Sequence, residues 1–282
     1  MDKIILNSHA KINLSLDVTA KRPDGYHEVC MIMAMCGLCD SIMLEKTKSE
    51  INLKTNLSFL PADERNIAYK AAQEFFAYCG INGGAKIEIS KHIPVRAGLA
   101  GGSGNGAAVL CGLNKLYGTD LSENELCKIG VRLGADVPYC IRGGTMLAEG
   151  IGEILTPLSP LPKMPIVLIK PSFGISTPAI YQQIDSVPIV HRPDTPALIA
   201  ALDKGDINSL AANMVNVMEE VSIKMHPVIS DIKATLMEKG ALGALMSGSG
   251  PSVFALFESY EDAKKAAAPF KNKFFTYVGW TK

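Results

Sequence analysis

The sequence predicts an α+β protein of two domains, and three observations carry that expectation. Short alternating or continuous apolar runs recur between residues 12 and 89 and return near the C-terminus, the pattern of strands. Capped stretches with apolar residues at helical spacing fill the middle and much of the second half. Four clustered prolines, Pro157, Pro160, Pro162 and Pro165, separate the two sets and suggest segments 1–160 and 161–282.

Each element follows from local chemistry. Ile12, Leu14, Leu16 and Val18 alternate with Asn13, Ser15 and Asp17, which predicts a half-buried strand. Arg22-Pro23-Asp24-Gly25 is turn chemistry. Residues 28–39 are apolar enough for a buried strand, and Ile42/Leu44, Ile51/Leu53 and Ile87/Ile89 mark three more. Residues 66–79 predict a helix with Ile67, Ala71, Phe75 and Tyr78 on its inner face and Gly80 closing it. A second helix runs from near Ser103 to Tyr117 and ends at Gly118. Ser122 and Glu125 form a capping box for a third, which turns Leu126, Ile129 and Leu133 inward and stops at Gly134. Residues 143–148 read as a strand, and so do 166–169, 253–257 and 274–278. Asp206 caps a helix with Leu210, Met214, Val217 and Val221 inward, and His226-Pro227 opens another that ends at Gly240.

Composition narrows the function. With 282 residues, 48% of them apolar and 20% charged, the chain builds its own core and is neither disordered nor fibrous. Lys and Arg total 28, as do Asp and Glu, so the basic excess of a non-specific nucleic-acid binder is missing. A local basic site for a phosphorylated small molecule stays open. Seven cysteines, an odd number set mostly among apolar neighbours, read as reduced thiols of a cytoplasmic protein. The first residues, MDKIILNSHAK, hold no apolar core of a signal peptide, and no apolar run approaches a membrane span. The histidines lack metal-ligand spacing, and Cys36-Gly37-Leu38-Cys39 lies in a strand-like run without the following helix of a redox motif.

Four segments carry chemistry. The first is Pro94-Val95-Arg96-Ala97-Gly98-Leu99-Ala100-Gly101-Gly102-Ser103-Gly104, which follows a strand and opens a helix. Its glycines allow positive φ and close approach of a ligand, and helix N-terminal amides cradle phosphate. It is not a Walker A loop, because no Gly-Lys-Ser/Thr follows. The plain alternative is a flexible loop or tight helix packing. The second is Lys11 with Asn13, two apart and so on one strand face, which is either functional or the solvent face. The third is Asp136, just past a helix end, either a turn former or a functional acid. The fourth is Ser247-Gly248-Ser249-Gly250-Pro251, an ordinary turn or a second approach to the same phosphates.

Together these segments resemble the GHMP kinases, the family of galactokinase, homoserine kinase and mevalonate kinase. The family's loop Pro-x-x-x-Gly-Leu-x-Gly-Gly-Ser is matched from Pro94 to Ser103. Ala10-Lys11-Ile12-Asn13-Leu14, the stretch from Arg22 to Glu28, Leu133 to Pro138 and Gly144 to Gly150 resemble one branch of it, in non-mevalonate isoprenoid synthesis. That resemblance implies transfer of the γ-phosphoryl group of ATP, with Mg²⁺, to the 2-hydroxyl of a small-molecule cytidyl diphosphate. It implies an N-terminal domain like ribosomal protein S5 domain 2, a ferredoxin-like C-terminal domain, and an active site between them. By the same resemblance Asp136 is the catalytic base and Lys11 the catalytic lysine that stabilises charge. Residues 94–104 bind ATP, Asn13 lies near the transferring group, and Tyr26, His27, Thr177 and Tyr181 contact substrate. We expect cytosine between Tyr26 and Tyr181, with His27 on its polar edge. No nucleic-acid, membrane or obligate protein partner is expected. Another small-molecule kinase of the family, such as homoserine kinase, is the alternative, and a non-catalytic nucleotide-binding module is a third that Lys11 and Asp136 argue against. Gly104 stands where the family usually has a second serine, which leaves the metal ligands unassigned.

Overall fold

The structure is a computed structural model that describes residues 2–282. It divides into two compact units that interleave along the chain. Met1–Ala10, Leu38–Ile93 and Ala100–Gly143 form the first; Lys11–Gly37, Pro94–Leu99 and Gly144–Lys282 form the second. The proline-rich segment lies inside the second unit.

The chain opens with β1 (Lys3–Lys21) and β2 (His27–Thr47), a long hairpin closed by the Arg22–Gly25 turn, where Arg22 N–H donates to Tyr26 O at 2.8 Å. In the first unit the second half of β2 pairs antiparallel with β4 (Gly84–Ser90), and β3 (Ile51–Thr55) adds parallel to β4. Three helices pack with these strands: α1 (Ile67–Cys79), α2 (Gly101–Tyr117) and α3 (Glu123–Leu133). Ile42, Leu44, Phe75, Ile87, Val109, Leu113 and Ile129 meet in that core. Gly80 ends α1 in the left-handed region, as the sequence predicts, and Asn66, expected within the helix, instead caps it through its side chain. Tyr78 departs from expectation and is exposed, because the buried face of α1 runs through Ala68, Ala71, Ala72, Phe75 and Phe76. The capping box of α3 forms with both of its hydrogen bonds. A short helix, α4 (Asp136–Arg142), follows at once, an element the sequence did not predict.

In the second unit the first half of β2 pairs with β5 (Met146–Glu149), which pairs with β6 (Ile154–Pro157). A four-stranded antiparallel sheet has the order β10-β7-β9-β8, from β7 (Pro165–Lys170), β8 (Gly243–Met246), β9 (Val253–Leu256) and β10 (Phe275–Trp280). Its helices are α5 (Thr177–Ile184), α6 (Thr195–Lys204), α7 (Ile207–Ala212), α8 (Glu219–Met225), α9 (Val228–Glu238) and α10 (Tyr260–Ala267). The helix expected after Asp206 is split into α7 and α8. Leu210, Met214, Val217 and Val221 are buried as expected. Between the two helices, however, the backbone turns aside to bridge β1. Leu16 N–H donates to Val215 O at 2.9 Å, and Val217 N–H donates to Leu16 O at 3.0 Å. Two strand-type bonds to a fixed neighbour outweigh continuation of a marginal helix.

The seven cysteines stand outside any disulfide, but only Cys36 is fully buried, so they line the core margins more than its centre. Burial pushes the Cys111 thiol up to about 11. No helix of the described residues is long and apolar enough to cross a membrane.

Candidate active site

Lys11 and Asn13 do not face solvent. They are 4% and 0% exposed in β1. Lys11 Nζ donates to Asn13 Oδ1 at 2.5 Å, and the same oxygen accepts from Gly248 N–H at 2.9 Å. Lys11 N–H donates to Leu99 O at 3.2 Å. The second glycine-serine turn therefore closes on the same point as the start of the glycine loop. Ser247 Oγ donates to Gly98 O at 2.9 Å, and a Cβ at Gly248 would lie 3.3 Å from Lys11 Nζ. Asn216 fixes this turn from behind by donating to Met246 O and Gly248 O, both at 2.8 Å. Sequence reasoning missed Asn216, since a lone asparagine in an expected helix carries no signal.

The glycine loop uses its glycines differently from expectation. Positive φ falls at Arg96 (52°), Gly98 (73°) and Ala100 (54°), not at Gly101 or Gly102. A Cβ at Gly98 would meet Ser247 O at 2.1 Å, so glycine there is demanded by the protein's own backbone. Ala100 is the N-cap residue of α2 and offers no side-chain oxygen to the first amides of that helix. Amides at such a helix start, with the helix dipole behind them, are of the kind that can hold phosphate. Under Gly101 lies a buried cluster the sequence did not reveal. Lys91 pairs with Asp40 and donates to Asn105 Oδ1 at 3.0 Å; Asn105 donates to Asp40 at 2.8 Å. Asp40 also accepts from His92 N–H and Ile93 N–H. This network anchors the first turn of α2.

Gly104, the departure from the family pattern, has a local cause. A Cβ there would fall 2.4 Å from Ser8 Oγ, which is buried and makes no hydrogen bond. The Ser8 hydroxyl thus occupies space that a residue-104 side chain would claim. Asp136 stands in the first turn of α4, half-buried. Just before it, a Cβ at Gly134 would lie 4.0 Å from Ser103 Oγ, so the first unit brings the loop hydroxyl beside the Asp136 turn.

A further cluster belongs to the second unit. His27, at the start of β2, is buried, and its ring stacks on Tyr181 with centroids 4.8 Å apart. Its Nε2 lies 2.7 Å from Asp185 Oδ1, while Lys21 Nζ donates to Asp185 Oδ2 at 2.6 Å. Hydrogen bonds from Lys21 and then His27 hold the Asp185 carboxyl below its usual range. Tyr181 is half-buried, whereas Ile180 and Ile184 are the core residues of α5. The His27 ring lies flat on Tyr181, with an interplanar angle of 24°. Tyr26 is exposed. Thr177 and Ser249 hydroxyls are 2.8 Å apart. Asp185 and Lys21 were not legible in the sequence.

Among the described residues no group of three or more His, Cys, Asp or Glu could cage a metal. The Ser103 hydroxyl and the Asp136 carboxylate, both in the first unit, are hard oxygens. They suit Mg²⁺, which takes one or two protein oxygens and completes its shell with phosphate and water.

Comparison with known proteins gives a concordant result. Residues 66–144 match the model described as GHMP kinases N terminal domain, and residues 198–276 match GHMP kinases C terminal. The chain is 53% identical over 268 residues to 4-diphosphocytidyl-2-C-methyl-D-erythritol kinase of Alkaliphilus oremlandii, spanning 94% of this chain and 92% of the relative. It is 50% identical to the protein of the same name from Acetivibrio thermocellus, over 96% of each. A crystal structure of 4-(cytidine 5'-diphospho)-2C-methyl-D-erythritol kinase superposes with a TM-score of 0.85 at 31% identity, covering 99% of both chains. Homoserine kinase from Cytophaga hutchinsonii, at 21% identity and a TM-score of 0.77 over 100% of this chain and 95% of that one, shares the fold. An amide cradle opening a helix, a buried lysine at the loop's start and these full-length matches lead to one conclusion: the chain belongs to the GHMP kinase family.

Proposed function

We propose that this chain is a 4-diphosphocytidyl-2-C-methyl-D-erythritol kinase, transferring the γ-phosphoryl group of ATP to the 2-hydroxyl of that alcohol in non-mevalonate isoprenoid synthesis. One structural observation carries the chemistry. Lys11 is a buried cation whose side-chain partner is a neutral amide, and within its unit it pairs with no carboxylate. Burying an ammonium without a counter-charge is costly unless an anion is to meet it. Here it lies beside Gly248 and the start of the glycine loop, where phosphoryl oxygens would supply that anion.

The roles follow from phosphoryl transfer, which asks for positioning and charge stabilisation. The amides of the first turn of α2 bind the nucleotide phosphates. Lys11 stabilises charge on the transferring group. Asp136 accepts the proton of the attacking hydroxyl. Mg²⁺, when bound, supplies charge neutralisation for the triphosphate, with Ser103 and Asp136 as the side chains to hold it. Tyr26, His27, Thr177 and Tyr181 bind the cytidyl half, and Asn13 holds Lys11 in place. A reducing, cytoplasmic setting fits seven cysteines outside any disulfide.

The test is direct. The protein is incubated with ATP, Mg²⁺ and a panel containing the cytidyl diphosphate alcohol, its uridyl analogue, homoserine and mevalonate. Mass spectrometry should find one added phosphoryl group on the cytidyl alcohol alone. A phosphorylated homoserine or mevalonate, with the cytidyl alcohol untouched, would assign the chain elsewhere in the family.

A further inference from the structure

The His27–Asp185–Lys21 cluster does more than hold a loop, and what it does can be read from donor and acceptor chemistry. Tyr181 and Asp185 are four residues apart, at the end of α5 and just beyond it, and so address the same neighbour. Tyr181 gives His27 a ring to lie on, and Asp185 gives its Nε2 a carboxylate oxygen at 2.7 Å. The other carboxylate oxygen is taken by Lys21 at 2.6 Å. An ionised carboxylate accepts hydrogen bonds and donates none, so the proton of this contact belongs to His27 Nε2. In a neutral imidazole the remaining nitrogen, Nδ1, is then an acceptor.

That assignment has a consequence for base recognition. Cytosine presents an exocyclic amino donor where uracil presents a carbonyl acceptor. A ring nitrogen fixed as an acceptor attracts the first and repels the second. We propose that Asp185 is the specificity-determining positioning residue of this kinase: by fixing His27 with its proton on Nε2, it makes Nδ1 an acceptor that selects a cytosine-bearing substrate over its uracil counterpart. This rests on the cytidyl reading of the site. It adds a residue that makes no contact with the base and acts through the tautomer of one that does. The contact with Asp185 opposes a ring flip, since a flipped ring would turn a C–H toward the carboxylate.

The experiment has two arms. In the first, kcat/KM is measured for the cytidyl diphosphate alcohol and its uridyl analogue on the same preparation, so that any loss of folded protein cancels in the ratio. Wild type should favour the cytidyl substrate. Asp185→Ala should lower that preference by about 5-fold or more, the lower bound for one base-edge contact, and Asp185→Asn should lower it as well, since an amide can meet either tautomer. In the second arm, nitrogen NMR of histidine-labelled protein reads the tautomer directly, with His27 assigned by its loss in His27→Gln. Wild type should show Nε2 protonated and Nδ1 not, and Asp185→Ala should show a mixture. A wild-type proton on Nδ1, or a preference unchanged in Asp185→Ala, would overturn the inference while leaving the cytidyl kinase reading intact. A wild type that phosphorylates neither nucleotide alcohol would overturn both.

Discussion

Gly102 separates a glycine kept for a ligand from one kept for the fold. Its φ is ordinary, and a Cβ there would meet nothing closer than Ile67 Cδ1 at 3.6 Å, a normal contact. It sits in the first turn of α2, where alanine is the better helix former by up to about 1 kcal/mol. Gly102→Ala should therefore leave the melting temperature unchanged or raise it by about 2–4 °C. If the α2 amides hold phosphate, the same methyl displaces an anion from one or two charge-assisted hydrogen bonds worth about 1.5–3 kcal/mol each. The KM for ATP should then rise by about 10-fold or more. Gly98→Ala is the contrast. Its Cβ would lie 2.1 Å from Ser247 O, and its φ of 73° is disfavoured for any side chain. The clash alone costs about 1–3 kcal/mol and the left-handed backbone about 1–2 more. That variant should melt several degrees lower. Thermal unfolding and ATP saturation curves on the two proteins decide the matter. A Gly102→Ala enzyme with wild-type KM for ATP would mean that phosphate sits elsewhere, and the cradle argument would fail.

Other expectations can be checked on the same preparations. Asp136→Asn should lose about 10²–10⁴ in kcat while retaining ATP affinity by equilibrium binding; near-normal turnover would remove it as the base. Lys11→Met should lose comparable activity, and Lys11→Arg less, as read by single-turnover kinetics. Tyr26→Ala and Tyr181→Ala should each raise KM for the cytidyl substrate by about 5- to 150-fold, the worth of a base–aromatic stack, and a fall in melting temperature without a KM change in Tyr181→Ala would mark it as packing. Gly104→Ala should be destabilised by about 1–3 kcal/mol through its clash with Ser8 Oγ, and Ser8→Ala in the same chain should recover most of that loss by denaturant titration.

The sequence was most legible where the local signal was strong. The box at Ser122 and Glu125 and the glycines ending α1 and α2 each did what their chemistry suggested. It was least legible where distant segments decide. Nothing near Asp206 shows that residues 213–218 leave the helix to bridge β1, because the partner, Leu16, is some two hundred residues away. The site shows the same split. The glycine loop announces itself by its composition, and Lys11, Asn13, Asp136, His27 and Tyr181 by resemblance. Asp185, Lys91 and Asp40 do not, since a lone acid or lysine gains meaning only from what it touches. The positive φ values fell at Arg96, Gly98 and Ala100 for that reason too: the loop's course is set by Ser247 and its neighbours, which no local pattern encodes.

The row Lys11, Asn13, Ser15 and Asp17 shows how a failed pattern becomes evidence. Alternation with Ile12, Leu14 and Leu16 puts these polar residues on one face, which a half-buried strand would turn to water. All four are buried. Such a row is tolerable only if each member is satisfied. Ser15 Oγ accepts from Ile32 N–H at 3.2 Å, Asp17 takes the Arg192 guanidinium, and Asn13 Oδ1 takes both Lys11 and Gly248 N–H. Three of the four are thus paired in a way that suits their charge. Lys11 is the exception, a full positive charge answered inside its unit by an amide dipole. A fold under selection for stability alone would place a neutral residue there, since an uncompensated buried charge is among the costlier things a core can hold. The cost is borne at the one position in the row that adjoins both glycine turns. That coincidence of a cation answered within its unit only by an amide with two glycine turns is why we propose a site for phosphoryl oxygens rather than a polar seam in a strand.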